Sequence, residues 1–170
     1  MKLQKSTLAN IPAIMKIIAD AQRYLASLNI DQWQDGYPDK EQIILDIENN
    51  DSYIVLNHTN KIIGTTVFTT KSEHTYNKIE GEWLTEKDAQ YGVIHRLAVD
   101  NDYRKVGLAK FVFEQCENKL KLKGDKSMRI DTHRDNKGMQ GLLTQLGYQY
   151  CGVIVLESGA ERLAYEKLLS

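Results

Sequence analysis

Arg104-Lys105-Val106-Gly107-Leu108-Ala109 is the stretch whose residue types and spacing are best suited to chemistry. Two cations open it, Lys110 follows as a third, and Gly107 removes the side chain near its centre. If a helix starts where the run ends, its first N–H groups lack internal acceptors and lie at the positive pole of its dipole, a site for an anion. Gly107 lets a ligand approach the backbone closely, small Ala109 keeps the next turn open, and a pyrophosphate would match the arrangement. The spacing has neither the Gly-Lys-Ser/Thr end of a nucleotide P-loop nor the repeated glycines of a dinucleotide turn. Upstream, His95 offers an imidazole whose ordinary pKa of about 6.5 lets it accept a proton near neutral pH. A core histidine hydrogen-bonded to its neighbours is the competing reading. Trp33 and Tyr37 stand in Asp31-Gln32-Trp33-Gln34-Asp35-Gly36-Tyr37-Pro38, where they could stack on an amine or an aromatic group while Asp31 or Asp35 attracts its charge. The same residues would equally serve as an apolar clasp with aspartates in turn roles.

The elements around these residues place them. Val93 to Val99 alternates as a strand, with Val93, His95, Leu97 and Val99 on one face and Ile94, Arg96 and Ala98 on the other. Arg96 is therefore expected to pair with a carboxylate or reach the surface. From Ala109 the apolar residues Ala109, Val112, Phe113, Cys116 and Leu120 recur at helical spacing until Gly124-Asp125, so the basic turn joins a strand to a helix. Before this unit come a short strand at Lys2 to Ser6 and a helix from Asn10, with Pro12 in its first turn and Ile14, Ile17, Ile18, Ala21, Leu25 and Leu28 as its buried stripe. A second helix runs from Asp39 to Asn49-Asn50, and two strands, Ser52 to Leu56 and Lys61 to Thr70, flank a turn at Asn57 to Asn60. Lys71 to Gln90 is a polar connection anchored by Ile79, Trp83 and Leu84, with room for one short element. After it follow a strand at Ser127 to Thr132, a helix at Asn136 to Leu146 capped by Asn136, and strands at Tyr148 to Leu156 and Glu161 to Leu168. The order β-α-α-β-β-β-α-β-α-β-β predicts an α/β fold, a mixed central sheet with helices on both faces.

At 170 residues the chain suits one domain spanning residues 1–170. Its 22 basic and 23 acidic residues leave a net charge of -1, which argues against nucleic acid as a partner. Met1-Lys2-Leu3-Gln4-Lys5 has no apolar leader segment and no stretch approaches bilayer length, so no membrane association and a cytoplasmic location are expected. Cys116 and Cys151 show no metal-like spacing and read as buried thiols, and no metal is expected.

Leu97-Ala98-Val99, Tyr103 and the Arg-x-x-Gly-x-Ala run at 104 to 109 resemble the acetyl-CoA signature of the GNAT superfamily of N-acyltransferases. Asn136, Met139 and Leu146-Gly147-Tyr148 are spaced like that superfamily's next motif, so the resemblance covers most of the chain. It implies a GNAT-like sheet whose central strands splay apart, with acetyl-CoA as cosubstrate. Leu97 and Val99 would offer backbone to the pantetheine arm, Val106 to Ala109, including Leu108, would take the pyrophosphate beside Arg104 and Lys105, and Asn136 would meet the arm. His95 would be the general base on the face where some members carry a glutamate. Trp33 and Tyr37 would bind the acceptor, a primary amine of a small molecule or a protein, attacking directly in a ternary complex. Association into a homodimer is left open. One position departs from the pattern: the tyrosine that protonates the leaving thiolate in some members is here Leu143, and Tyr148 reads as core. The alternative function is accordingly a non-catalytic acyl-CoA-binding or sensing module.

Overall fold

The computed structural model describes residues 1–170, and the chain divides into two compact units, residues 1–68 with 95–115 and residues 69–94 with 116–170. In the first unit β1 (Lys2–Lys5) runs antiparallel to β2 (Ser52–Leu56), which runs antiparallel to β3 (Ile62–Thr69). The β2-β3 turn is organised by one side chain: Asn57 Oδ1 accepts from the Thr59 and Lys61 N–H groups, each at 2.9 Å, and Asn60 takes a left-handed φ of 61°. Helix α1 (Ile11–Ser27) starts with Pro12 in its first turn, where no intrahelical N–H is lost. Helix α2 (Lys40–Glu48) is capped by Asp39, which accepts from the Gln42 N–H at 2.8 Å. Their isoleucines Ile14, Ile17, Ile18 and Ile43 close over Ile54, Leu56 and Ala98 in one buried cluster. Leu28, expected in the α1 stripe, is half exposed, because the helix ends at Ser27 and the chain turns at Asn29, φ 56°.

The second unit begins with the first part of β5 (Tyr91–Val99). Here β5 runs parallel to β6 (Ser127–Thr132) through three pairs, Tyr91 with Ser127 to Val93 with Arg129, a short ladder of the kind a splayed pair of strands requires. β6 is antiparallel to β8 (Glu161–Leu168), and β8 to β7 (Gln149–Val155). An edge strand, β4 (Ile79–Gly81), pairs with β7 and was not separately predicted from sequence. Its pairing depends on two glycines: a Cβ on Gly81 or on Gly152 would lie 2.1 Å from the facing carbonyl oxygen. Periodicity says nothing about such backbone contact. Helix α4 (Lys137–Gln145) is capped by Asn136, whose Oδ1 accepts from the Met139 N–H at 3.0 Å.

Strand order in the eight-stranded mixed sheet is β1-β2-β3-β5-β6-β8-β7-β4. Both β5 and α3 (Leu108–Lys123) pass through the two units, and of the expected apolar positions of α3, Val112, Phe113, Cys116 and Leu120 are completely buried while Ala109, in the first turn, is half-buried. No helix is long and apolar enough to cross a membrane.

Candidate functional site

The chain leaves β5 through Asp100, which is buried and fixes the start of the turn. Its carboxylate accepts from the Asp102 N–H at 2.9 Å, its own N–H donates to the Ile63 carbonyl at 2.9 Å, and Lys61 lies 3.6 Å away. Lys105 and Gly107 then adopt left-handed φ angles of 66° and 79°. Successive turn conformations of this kind gather N–H groups into an anion-binding concavity. The first α-helical bond of α3 runs from the Phe111 N–H to the Gly107 carbonyl at 3.0 Å, so the N–H groups of Leu108, Ala109 and Lys110 precede the helical ladder. A Cβ added at Gly107 would meet no protein atom within 4 Å, and Lys105, Val106 and Gly107 are all exposed. Leu108, by contrast, is buried and lies against Gly64, so it anchors the helix start. Arg104 is held beside the turn by α1: its guanidinium stacks 3.5 Å from the Tyr24 ring and its Nε donates to Asn101 at 2.9 Å. Nothing in the local pattern of α1 singles out Tyr24 as a partner for Arg104.

His95, Arg96, Leu97 and Val99 are half-buried on β5. The His95 carbonyl accepts from the Thr66 hydroxyl at 3.3 Å. Arg96 carries the strand through a left-handed φ of 51°, an uncommon conformation for a residue with a side chain. Its guanidinium grips Asp46 with two bonds, Nε to Oδ2 at 2.8 Å and Nη2 to Oδ1 at 2.6 Å, and its Nη1 donates to the Tyr37 hydroxyl at 2.6 Å. Burial disfavours the charge on Arg96, but the neighbouring Tyr37 oxygen and Asp46 carboxylate outweigh it and hold the guanidinium pKa above its ordinary value. Asp46 also accepts from Gln42 at 3.0 Å. It was missed from sequence, although an aspartate within the apolar stripe of Ile43 and Ile47 is a signal that a buried cation must meet it.

The loop from 31 to 38 contains no regular element. Trp33, at φ 63°, packs against the isoleucine cluster under α1 and α2, as a clasp would. Tyr37 is 39% exposed, its carbonyl accepts from Gln22 at 3.0 Å, and its N–H donates to Asp35 at 3.2 Å. Asp35 and Asp39 are therefore engaged in turn and cap roles.

In the second unit, Asn136 serves as the α4 cap and is half-buried. Leu143, at the position where the resembled pattern carries a tyrosine in some members, is completely buried. Tyr148 is also buried; its hydroxyl donates to Glu117 at 3.0 Å, and burial together with that carboxylate pushes its pKa well up. His133 is less exposed than a surface histidine, with Nδ1 accepting from the Asp135 N–H at 3.1 Å. Next to it, the Thr132 hydroxyl is buried with no hydrogen-bond partner within the protein. Both cysteines are free and buried, and burial pushes the Cys116 thiol up to about 12. No cluster of three or more His, Cys, Asp or Glu side chains is arranged to hold a metal ion.

Comparison with known proteins follows the same lines. The model of the acetyltransferase (GNAT) family matches residues 18–148. A GNAT-family acetyltransferase from Streptococcus agalactiae 2603 superposes with a TM-score of 0.88 at 33% identity, over 99% of this chain and 95% of that one. The PaiA N-acetyltransferase of Thermoplasma acidophilum, solved in complex with coenzyme A, shares the fold at a TM-score of 0.71 and 15% identity, over 98% of both chains. A phosphinothricin acetyltransferase from Sinorhizobium meliloti, solved in complex with AcCoA, does so at 0.68 and 13%, over 99% of this chain and 88% of that one. No curated protein matches the sequence.

Proposed function

Since the chain belongs to the GNAT acetyltransferase family, we propose that residues 1–170 act as one domain that transfers an acetyl group from acetyl-CoA to a primary amine. The observation that carries this reading is the turn at 104 to 109, two left-handed residues feeding a 16-residue helix, with open space over Gly107. In this reading the N–H groups from Val106 to Ala109 hold the pyrophosphate, with Arg104 and Lys105 supplying charge. Backbone at Leu97 and Val99 receives the pantetheine arm as an added strand would be received; the family resemblance assigns Asn136, in the second unit, a contact with the cofactor. The orphaned hydroxyl of Thr132 fits a polar ligand atom at the end of β6.

The amine nitrogen attacks the thioester carbonyl, forming a C–N bond; the tetrahedral intermediate then breaks its C–S bond and CoA leaves as thiolate. His95 takes the proton that the attacking amine must lose. A thiol of pKa about 8.5 leaves tolerably without a protein acid, which accommodates Leu143. Trp33 and Tyr37 line the acceptor side, and the acceptor is a small-molecule or protein amine. The free, buried thiols fit the reducing cytoplasm, where we place the reaction.

Two measurements test this. Calorimetric titration with CoA should give binding in the wild type, loss of at least about tenfold in affinity in Gly107→Val, and a smaller loss in Gly107→Ala, which bears the same positive φ but less bulk. Thermal melts show whether each variant is folded, and unchanged CoA affinity in folded Gly107→Val would sink the assignment. Thiol release from acetyl-CoA is then followed with an alkyl monoamine, a polyamine, an amino acid, an aminoglycoside and a lysine peptide. A second reading, an acyl-CoA-binding module without turnover, is favoured by the fully buried Leu143; CoA binding with no release for any amine would select it.

A further inference from the structure

Arg96 has a left-handed backbone in the interior of a nine-residue strand, at φ 51°. Such conformations persist in residues with side chains when the surroundings over-determine them, and they cluster at functional sites. Here the surroundings are explicit. The guanidinium is 13% exposed and its carboxylate partner Asp46 6%, so the fork from Nε and Nη2 to Asp46 is shielded from water. The remaining arm, Nη1, points to the hydroxyl of Tyr37 on the α1-α2 loop. One side chain thus ties β5, α2 and that loop together, and nothing in the strand alternation or the aromatic loop taken separately predicts it.

We propose that Arg96 is a positioning residue for the acceptor reaction: anchored on Asp46, it fixes the Tyr37 hydroxyl on the acceptor side and sets the backbone turn between His95 and Leu97. The inference rests on the acetyltransferase reading and extends it, since neither Arg96 nor Asp46 touches a reacting atom in it. The left-handed residue stands directly between the proposed base and the first proposed contact of the thioester arm, so relaxing it would turn both. A planar two-pronged donor is needed: lysine keeps the charge but cannot bond Asp46 through two nitrogens and Tyr37 through a third.

The test uses Arg96→Lys, Arg96→Gln and Tyr37→Phe in the full chain, with the fastest amine of the panel as acceptor. Tyr37→Phe should raise the acceptor KM about three- to tenfold and leave the acetyl-CoA KM within about twofold, because only the positioned hydroxyl is lost. Arg96→Gln should lower kcat by about tenfold or more and raise the acceptor KM, and Arg96→Lys should fail to restore either. In parallel, the two indole N–H signals in NMR spectra report position without turnover: that of Trp33 should shift in the Arg96 variants, and that of Trp83 should not. Folded variants with kinetic constants within about twofold of wild type and an unmoved Trp33 signal would overturn the role of Arg96 alone. If the wild-type chain binds CoA but acetylates no amine, the acetyltransferase reading and this one fall together.

Discussion

Arg129 and Arg96 each meet a shielded carboxylate, Glu166 at 3.0 Å and Asp46 at 2.6 Å, but the surroundings of the two pairs differ. Glu166 itself is completely buried and ringed by donors. It accepts from the Leu84 and Thr85 N–H groups at 2.6 and 3.2 Å, from the Thr85 and Ser127 hydroxyls at 2.6 Å each, and from Arg129. The Arg129 guanidinium lies between the rings of Trp83 and Tyr91, 4.3 and 4.0 Å from their centroids. This network fastens the polar connection after β4 to β8 and leaves no arm toward solvent. At Arg96 the same chemistry has one arm leading to an exposed tyrosine, and the backbone beneath it is strained. A closed network specifies where a segment lies, whereas an arm that reaches an exposed ring can set the position of a site.

Stability should separate the two pairs most strongly. Removing one partner of a fully buried ion pair leaves an uncompensated charge and costs about 3–5 kcal/mol. Arg129→Met is expected to lose that much, because Glu166 is completely buried. Arg96→Met should cost less, about 1–3 kcal/mol, since Gln42 still donates to Asp46 and the site is nearer water. Urea unfolding midpoints with an unchanged slope measure both. Equal losses would mean that Arg96 is as purely architectural as Arg129.

Acid should reach the closed network next. Burial pushes the Glu166 pKa up, but the hydrogen bonds from Ser127, Thr85 and Arg129, with the Arg129 charge, outweigh it and hold it below the ordinary value. A carboxylate depressed in the folded state contributes stability that is fully present above its unfolded pKa, about 4.3. That contribution fades as pH falls through the folded value. Wild-type stability should therefore decline below about pH 4 to 5, and Glu166→Gln, though less stable at neutral pH, should decline less steeply. Asp20, on α1, is also held low: burial raises it, but hydrogen bonds and charge from Lys16 and Arg23 prevail, so some slope should survive. An unaltered slope in Glu166→Gln would remove the network from the account of acid sensitivity.

The two networks also mark how far the sequence could be read. Helices, strands and the strand-to-helix turn at Gly107 were legible because their signals are local: 3.6-residue stripes, alternation, and a glycine placed between strand and helix. β4 was not, because its pairing rests on the approach of Gly81 to Gly152, far apart in the chain. Arg96 could be assigned a carboxylate partner, but naming Asp46 requires knowing that α2 crosses β5 at that point. Tyr24 beneath Arg104 was hidden for the same reason. Trp33 is the instructive case within the candidate site. As an aromatic in a loop it reads as ligand-binding or as a clasp, and burial against Ile14 and its neighbours accounts for much of its surface.

The smallest effect concerns a second pair of groups, the tyrosines 148 and 37. Both hydroxyls meet a charged side chain, Glu117 at 3.0 Å and Arg96 at 2.6 Å, but Tyr148 is 4% exposed and Tyr37 39%. Tyr148 donates to a carboxylate that Lys167 also binds, at 2.8 Å, so removing its hydroxyl leaves Glu117 with a charged partner still in place. The loss in Tyr148→Phe should therefore be that of a single hydrogen bond to a charged group with a remaining partner, about 1–2 kcal/mol. Turnover should stay within about twofold of wild type, far from the tenfold or greater losses that removal of a proton-transferring group brings. Burial and the Glu117 charge hold the Tyr148 proton on its oxygen, which makes it a poor proton donor to a departing thiolate. Thermal melts and thiol-release rates on the same preparation measure the two quantities together. A variant that keeps its stability but loses turnover would reverse the assignment, making Tyr148 the missing acid and leaving Leu143 without significance.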